Sequence, residues 1–273
     1  SRSKPGASAT QLDSSLLGGG SDNAADMSSH VFSGDGLFQQ PAWGYMLIQL
    51  INFTPDPERT VALAARLCYS DASISTLEDR LKAASFDKFL GKILKMGHLS
   101  VLEHASFTFG IEGISRATSH QLVRHRLASY SQQSQRYVKL ASPEFVIPHT
   151  VAREAAKKKL FIAAAKRAWA SYKKLLDSGL SAEDARYLLP NAACTKIIVT
   201  MNARELLHFF RLRCCERAQW EIREMAVEML KLAKSKAPFI FADSGPACVA
   251  GKCSEGEMTC GAPKEIRAKF KSL

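Results

Sequence analysis

The seventeen-residue segment Gln121-Leu-Val-Arg-His-Arg-Leu-Ala-Ser-Tyr-Ser-Gln-Gln-Ser-Gln-Arg-Tyr137 is the densest polar stretch of the sequence. It holds three arginines, one histidine, three serines and four glutamines. Ser115 predicts the start of a helix that runs to about Leu127, and a polar turn is predicted over 129–135. Guanidinium groups at the helix end suit phosphate oxygens, while amides and hydroxyls in the turn suit the edges of a planar heterocycle. A solvated basic helix end is the equally open alternative.

Helical and strand patterns alternate on both sides of this segment. Strands are predicted at 46–52, 104–111 and 196–201, with an extended stretch at 137–138. Helices are predicted from Thr54-Pro55 to Cys68, over 86–94 with Gly97 behind it, over 151–178, from Ser181 to Pro190, over 202–212 and over 219–236. This mixture predicts an α+β fold, a single domain with a modest, mostly antiparallel sheet and flanking helices.

The two ends of the chain lack these patterns. Residues 1–45 are rich in Ser and Gly, so we expect a flexible leader that was added for expression ahead of a natural start at Met46. A natural disordered tail is the alternative. The folded domain is expected over 46–241, and residues 242–273 are expected to form a flexible tail that contains free cysteines.

Composition and charge narrow the classes of function. Of the 273 residues, 46% are hydrophobic and 23% are charged, as in ordinary globular domains. No run approaches the roughly 18 apolar residues of a membrane helix, and no secretory signal is visible. The net charge is +11, with −2 in residues 1–45 and +13 in the remainder, so the expected partners are nucleic acid, phosphorylated metabolites or an acidic membrane surface. Seven cysteines without a small-domain disulfide pattern favour reduced thiols in the cytoplasm.

Short motifs are more specific than composition. Neither a Rossmann fingerprint nor a P-loop occurs, which removes the two commonest nucleotide-binding explanations. Instead, Arg124-His125-Arg126 is followed after seven residues by Ser134. This spacing resembles the Arg-His-Arg-x7-Ser motif of the flavin-dependent thymidylate synthases. Further blocks match in the same order between Met46 and Phe241: Gly97-His98, Glu103-His104, Arg186 before Leu189-Pro190, Asn202-Ala203-Arg204, Leu212-Arg213 and Ala218-Gln219-Trp220-Glu221.

The resemblance implies an enzyme, a methyltransferase that converts dUMP to dTMP. It further implies 5,10-methylenetetrahydrofolate as carbon donor, NADPH as reductant and FAD as hydride carrier. Members of the family are homotetramers whose active sites are shared between subunits. Three anionic ligands account for a basic chain without nucleic acid or membrane as a partner.

The same resemblance implies roles for individual residues. Arg213 is the implied catalytic residue, since a guanidinium at the uracil edge stabilises negative charge that develops there. The implied cofactor contacts are His98, Ser100, Arg124, His125, Arg126, Asn202, Ala203, Arg204 and His208. The implied dUMP contacts are Gln121, Leu122, Val123, Arg124, Gln132, Gln133, Ser134, Gln135, Arg136, Arg186 and Arg213.

Ser134 is assigned to dUMP binding rather than to covalent attack. A serine nucleophile needs a base within hydrogen-bond reach, and the flanking glutamines and arginine supply none. The chain departs from many members of the family at Cys68, Gln132 and His208, which puts flavin contacts at 68 and 208 in doubt.

A metal site is not expected. His98 and His104 are six residues apart, which is not a helical ligand pair, and Cys248, Cys253 and Cys260 supply only three ligands. A basic nucleic-acid-binding module is the alternative function, with the arginines on backbone phosphates. Against it, the sequence shows no RRM, KH or helix-turn-helix signature.

Overall fold

A four-stranded sheet positions every other element of the chain. The computed structural model describes residues 46–83, 85–142 and 144–273, so the predicted leader lies outside the described residues. The strands are β1 (Leu47–Phe53), β2 (Ser106–Ser115), β3 (Ala128–Gln132) and β4 (Cys194–Asn202). They lie in the order β1-β2-β4-β3, and each neighbouring pair is antiparallel. The predicted modest antiparallel sheet is confirmed.

Helices fill the connections between the strands. In the described part of the chain, three α-helices lie between β1 and β2: α1 (Pro57–Leu67), α2 (Ile74–Ala83) and α3 (Asp87–Lys95). The middle of the chain adds α4 (Arg116–Leu122), α5 (His149–Ala152), α6 (Ala155–Asp177) and α7 (Ala182–Ala185). After β4 come α8 (Ala203–Arg213), α9 (Trp220–Lys236), α10 (Ala247–Ala250) and α11 (Pro263–Lys271). The α+β class is thereby confirmed, and among the described residues no helix is both long and apolar enough to span a membrane.

The core lies on one face of the sheet. Side chains alternate along β2 and β4, and the inward members are buried: Phe107, Phe109, Val199 and Met201. They share one core cluster with Phe209 and Phe210 of α8 and Met225 of α9. The opposite face remains exposed within this chain, where Ile51 and Ile198 keep 54% and 46% of their surface in solvent. A sheet covered on one side only explains why its strands alternate between apolar and polar residues.

A buried carboxylate joins α9 to the start of α4. Glu221 Oε1 accepts a hydrogen bond from the Ser115 backbone N–H, and Oε2 accepts one from the Ser115 hydroxyl, both at 2.6 Å. The same hydroxyl oxygen accepts from Thr118 N at 3.0 Å, so Ser115 is the helix cap that the sequence predicts. Glu221 is 2% exposed, and its oxygens are satisfied only because the cap residue faces them.

Several predicted boundaries are wrong, for local reasons. The polar turn begins as strand β3, because Ala128 and Tyr130 face the core while Ser129 and Ser131 occupy the open face, which tolerates polar residues. The helix after Ser115 ends at Leu122, not Leu127. The long helix is divided into α5 and α6, and residues 99–104 form a 3₁₀ turn before β2. Gly97, with φ of 77°, ends the α3 region as predicted.

The expectation of a flexible tail is also wrong. Residues after Phe241 form α10 and α11, whose buried side chains join the main core: Cys248, Val249, Ile266 and Phe270. The ring of Phe270 lies so close to Gly245 that a Cβ at that glycine would be 2.6 Å from it. Lys234 of α9 also donates a hydrogen bond to Phe270 O at 2.9 Å. Weak periodicity hid these contacts, because a nine-residue helix shows few apolar repeats.

Replacement of Phe270 by Ala tests whether this segment belongs to the core. We expect the free energy of unfolding to fall by about 3–5 kcal/mol, since a fully buried aromatic side chain leaves a cavity. Urea titration followed by far-UV circular dichroism measures the change. Phe239→Ala is the matched control. Phe239 is 46% exposed, so its replacement should lower the free energy of unfolding much less. Equal stability of Phe270→Ala and the unmodified chain would show that the tail is not packed.

Candidate active site

Helix α8 carries a stripe of functional side chains on one face. Glu205, Phe209 and Arg213 occupy every fourth position, and this i, i+4 spacing aligns their side chains along one face of the helix. Asn202 fixes where this stripe begins, because its Oδ1 accepts a hydrogen bond from Glu205 N at 2.9 Å and caps the helix. The predicted cap at Asn202 is thereby confirmed, and the side chain of that residue is occupied within the protein.

His125 packs against this stripe. Its ring centroid lies 4.9 Å from that of Phe209, and the residue is 5% exposed. Its Nδ1 lies 3.2 Å from Glu205 Oε1, and its Nε2 lies 3.0 Å from Arg213 Nε. An arginine Nε–H can only donate, so Nε2 must be the unprotonated acceptor and Nδ1 must carry the hydrogen that Glu205 accepts. Geometry therefore selects one neutral tautomer of His125.

The electrostatics of the pocket agree with a neutral imidazole. The pKa of His125 is lowered to about 4, mainly by burial and to a lesser degree by the nearby Arg213 and His208. Burial also raises the pKa of Glu205 and lowers that of Arg213. The contact between Glu205 and His125 is accordingly a hydrogen bond to a neutral ring at pH 7, not an ion pair.

Two further contacts hold the guanidinium and the ring in place. Tyr130 Oη of β3 lies 2.8 Å from His125 O and 2.9 Å from Leu122 O, so one hydroxyl hydrogen is shared between two carbonyls at the end of α4. Arg213 Nη2 lies 3.5 Å from Gln121 O. Among the described residues, Arg213 Nη1 has no hydrogen-bond partner, so this half-buried nitrogen remains available to a ligand.

The predicted substrate loop is anchored on the edge of β4. Gln132 Nε2 donates to Thr195 Oγ1 at 3.1 Å, and Gln133 N donates to Lys196 O at 2.9 Å. Ser134 Oγ accepts a hydrogen bond from Arg136 N at 3.1 Å, which leaves its own hydrogen free to donate. The loop is therefore held by its backbone and amides, while the serine hydroxyl keeps a donor for a ligand.

Arg136 and Arg186 meet at Glu183. The guanidinium of Arg136 binds the Glu183 carboxylate through two nitrogens, at 2.7 Å and 3.1 Å. Arg186 Nε donates to the backbone oxygen of the same glutamate at 3.0 Å. Within the described residues, no hydrogen bond or ion pair joins this group to the one around Arg213. By this criterion the predicted dUMP residues fall into two groups that are not bonded to each other within the described residues.

The other predicted residues divide by exposure. Arg124, Arg126 and His208 are exposed, and Val123 keeps 39% of its surface in solvent. Arg204 forms an ion pair with Glu103, and His98 Nδ1 lies 3.3 Å from Tyr69 Oη. Leu122 and Ala203 are fully buried, so only their backbone groups are open to a ligand, and Ala203 N already donates to Ala105 O. Ser100 is exposed on the 3₁₀ turn, and Gln135 is half-buried.

Residues 49–239 match the sequence profile of the family described as thymidylate synthase complementing protein. A flavin-dependent thymidylate synthase of Geobacter sulfurreducens is 59% identical over 230 residues, which are 84% of this chain and 99% of the relative. The chain belongs to this family. The enzyme of that name in Clostridium tetani is 47% identical over 81% of this chain and 95% of its own, and that of Pyrococcus horikoshii is 47% identical over 83% and 97%.

The exposed cations fit the flavin from which these relatives take their name. A dinucleotide such as FAD carries a pyrophosphate, which guanidinium groups bind through paired donors. Arg124 and Arg126 are exposed, and in the described ranges neither has a carboxylate within ion-pair distance. Cations left without an acidic partner on one helix end are the donor set that a diphosphate requires. His125 differs, because both ring nitrogens already have protein partners, and its expected cofactor contact stays a prediction.

Sequence reasoning missed three residues that contact the predicted site residues. Glu205 was not identified, although a carboxylate eight positions before Arg213 on the same helical stripe was a usable signal. Tyr130 was missed because it was assigned to a turn, not to a strand that faces the core. Glu183 was treated only as part of a capping box, and its contact with Arg136 depends on folding across 47 residues.

The neutral His125 makes stability depend on pH. Its folded pKa of about 4 lies below its ordinary 6.5, so the unfolded chain binds a proton first as pH falls. The contribution of His125 to the free energy of unfolding is therefore complete above pH 6.5 and is lost between pH 6.5 and 4. This loss amounts to about 3 kcal/mol at most. Urea unfolding at several pH values measures it. We expect His125→Gln to flatten this profile and His120→Gln, an exposed control, to leave it unchanged; an unflattened profile in His125→Gln would contradict the assignment.

Proposed function

We propose that this chain carries out flavin-dependent thymidylate synthesis: it methylates dUMP to dTMP with 5,10-methylenetetrahydrofolate as carbon donor, NADPH as reductant and FAD as cofactor. The observation that carries the proposal is the fixed guanidinium of Arg213, held by a neutral His125 beside exposed Arg124 and Arg126. This arrangement occurs in a chain whose relatives are named for that activity.

Arg213 is proposed to act on the pyrimidine ring. Its Nε donates to His125 and its Nη2 lies near Gln121 O. Because the guanidinium is planar, these two contacts also fix the direction of Nη1. As uracil C5 becomes nucleophilic, negative charge develops on the ring, and a preoriented cation stabilises it without reorganisation. A neutral His125 supports this role, because a protonated ring would repel the guanidinium and lose its acceptor.

The remaining basic residues are proposed to hold the other ligands. FAD, when bound, supplies the hydride that completes the transferred methyl group. Arg124 and Arg126 would bind its pyrophosphate, with Arg204, His208 and Ser100 on the neighbouring exposed surface. Arg136 and Arg186 would bind the dUMP phosphate together, since Glu183 orients both.

Ser134 is proposed to bind dUMP and not to attack it. In the structure its hydroxyl oxygen accepts from Arg136 N. The nearest carboxylate in this group, that of Glu183, is held by Arg136 in a two-nitrogen contact and is not free to take a proton. The arrangement supports a hydrogen-bond donor more than a nucleophile.

A homotetramer with shared active sites is part of the proposal. Two features support it: the dUMP residues form two separate groups within one chain, and one sheet face stays open with Ile51 and Ile198 exposed. A second subunit could cover that face and bring the two groups together.

The seven cysteines are free thiols, which supports the proposed cytoplasmic location.

The decisive experiment combines colour and turnover. The purified chain should be yellow, should release flavin on denaturation, and should release tritium from dUMP labelled at C5 only when the folate donor and NADPH are both added. A protein that binds no FAD after incubation with it would contradict the proposal. Flavin binding without tritium release would indicate an inactive relative.

Arg213→Ala should strongly reduce turnover while FAD stays bound, because its charge acts on the pyrimidine. Loss of one directed charge–dipole contact in a catalytic site typically reduces kcat by about 10²–10³-fold. Tritium release and flavin absorbance measure the two effects separately. Arg211→Ala, exposed on the same helix, is the matched control. Simultaneous loss of flavin in Arg213→Ala would contradict this division, whereas flavin loss is the expected result for Arg124→Ala.

Ser134→Ala distinguishes binding from covalent attack. A neutral hydrogen bond contributes about 0.5–1.5 kcal/mol, so we expect roughly tenfold weaker dUMP binding with measurable residual dTMP formation. Steady-state kinetics give the KM and kcat changes, and Ser178→Ala at the exposed end of α6 is the control. Complete inactivity with unchanged dUMP affinity would show that the hydroxyl takes part in the chemistry.

A further inference from the structure

Four cysteines surround one small pocket that the thymidylate reaction does not use. Cys215, Cys248, Cys253 and Cys260 all line it, and its volume of about 10 Å³ is room for a single water or ion. The pocket lies between the loop that follows α8 and the segment that contains α10 and α11. The sequence predicted only three potential ligands here, because Cys215 is 33 positions before Cys248.

The spacing of these cysteines is typical of metal-binding loops. Cys248 and Cys253 are separated by four residues, and Cys260 follows after six more. Three thiols from one loop and a fourth from a distant part of the chain form the ligand set of many zinc and iron–sulfur sites. The loop turns sharply at Gly256 and Gly261, which both have positive φ, and Met258 between them is 59% exposed.

The four thiols come together from distant parts of the sequence. Cys215 and Cys260 are 45 positions apart in the chain, yet both line the same small pocket. All four are free thiols, so no disulfide accounts for their proximity.

The sulfur atoms line the pocket without converging on its centre. Across residues 46–83, 85–142 and 144–273, no three His, Cys, Asp or Glu side chains are already arranged around one ion. Each cysteine reaches the pocket through a single rotatable side-chain bond, so small rotations can bring the thiols onto one ion, or the pocket can widen around a cluster.

We propose that Cys215, Cys248, Cys253 and Cys260 bind a thiophilic metal centre, either one zinc ion or an iron–sulfur cluster. Each thiol releases its proton to solvent as it coordinates, and the resulting thiolates are the ligands that both kinds of centre require. Arg267 places one cation beside the site, where it donates to Cys248 O and Gly251 O at 3.1 Å and 3.2 Å. The lining carboxylate of Glu216 is paired with Lys269, whose Nζ lies 3.7 Å from Glu216 Oε1.

The centre would connect the last part of the chain to the active-site helix. Cys215 follows Arg213 by two residues, so a metal on its sulfur would fix the loop at the end of α8. The inference does not depend on the flavin or on dUMP, because none of the four cysteines is among the proposed ligands of either.

Elemental analysis of the full chain tests the proposal. The protein is purified without oxygen or chelators, then assayed for zinc, iron and acid-labile sulfide, before and after incubation with zinc or with ferrous iron and sulfide. About one zinc per chain, or iron with matching sulfide, is expected. The two results distinguish the two kinds of centre. Elemental analysis replaces absorbance here, because a bound flavin also absorbs visible light.

Cysteine variants decide whether the metal is held by this pocket. Cys260→Ser and Cys215→Ser should reduce metal content at least about tenfold, because removal of one thiolate opens the site. Cys194→Ala, a buried cysteine in β4 outside the pocket, should retain the metal. A chelator should lower the Tm of the unmodified chain and leave that of Cys260→Ser unchanged.

Three outcomes would overturn the proposal. One is a reconstituted chain with less than about one tenth of an equivalent of either metal. Another is full metal content in Cys260→Ser, and the third is equal loss in Cys194→Ala. Circular dichroism establishes that each variant is folded, and the exposed Cys260 keeps the test valid if Cys215→Ser is unstable. Flavin content, measured on the same samples, reports on the proposed function independently.

Discussion

A neutral imidazole buried between a carboxyl group and a guanidinium is the interaction on which the rest of the site depends. His125 accepts from Arg213 only while its Nε2 is unprotonated, and Glu205 keeps the hydrogen on Nδ1. Three elements meet here for that reason. The segment that follows α4 supplies His125, β3 supplies Tyr130, and α8 supplies Glu205 and Arg213. The orientation of the Arg213 guanidinium therefore depends on the packing of the core, because each element that fixes this group belongs to the sheet or packs against the sheet.

Two other carboxylates are paired with distant parts of the chain in a similar way. Glu221 is satisfied by a helix cap, and the Glu58 carboxylate accepts from the backbone N–H groups of Phe239 and Ile240. Both contacts join segments more than 100 positions apart, and both involve the ends of α9. Because an unpaired buried polar group costs about 1–3 kcal/mol, these pairings set the position of α9 more sharply than apolar contacts alone.

Local signals in the sequence were sufficient for much of the fold. Ser115, Ser181 and Asn202 were all identified as caps, because a cap acts within three residues of itself. The Arg-His-Arg segment was identified by its resemblance to a family motif with fixed spacing. What could not be read locally depends on distant partners: β3 is a strand because it pairs with β4, and Glu205 matters because His125 reaches it across 80 positions. The packing of Phe270 has the same origin, since nothing near it in sequence reveals Gly245 and Lys234.

The burial of Phe270 has a consequence for how the chain is made. Ribosomes add residues from the amino end, and domains ordinarily fold as their last core element emerges. Here α11 joins a core that also includes β1, so elements of one core are synthesised at opposite ends of the described chain. Until residue 270 leaves the ribosome, the apolar surface of α9 has no cover there, and a nascent chain would depend on chaperones to keep that surface from aggregating.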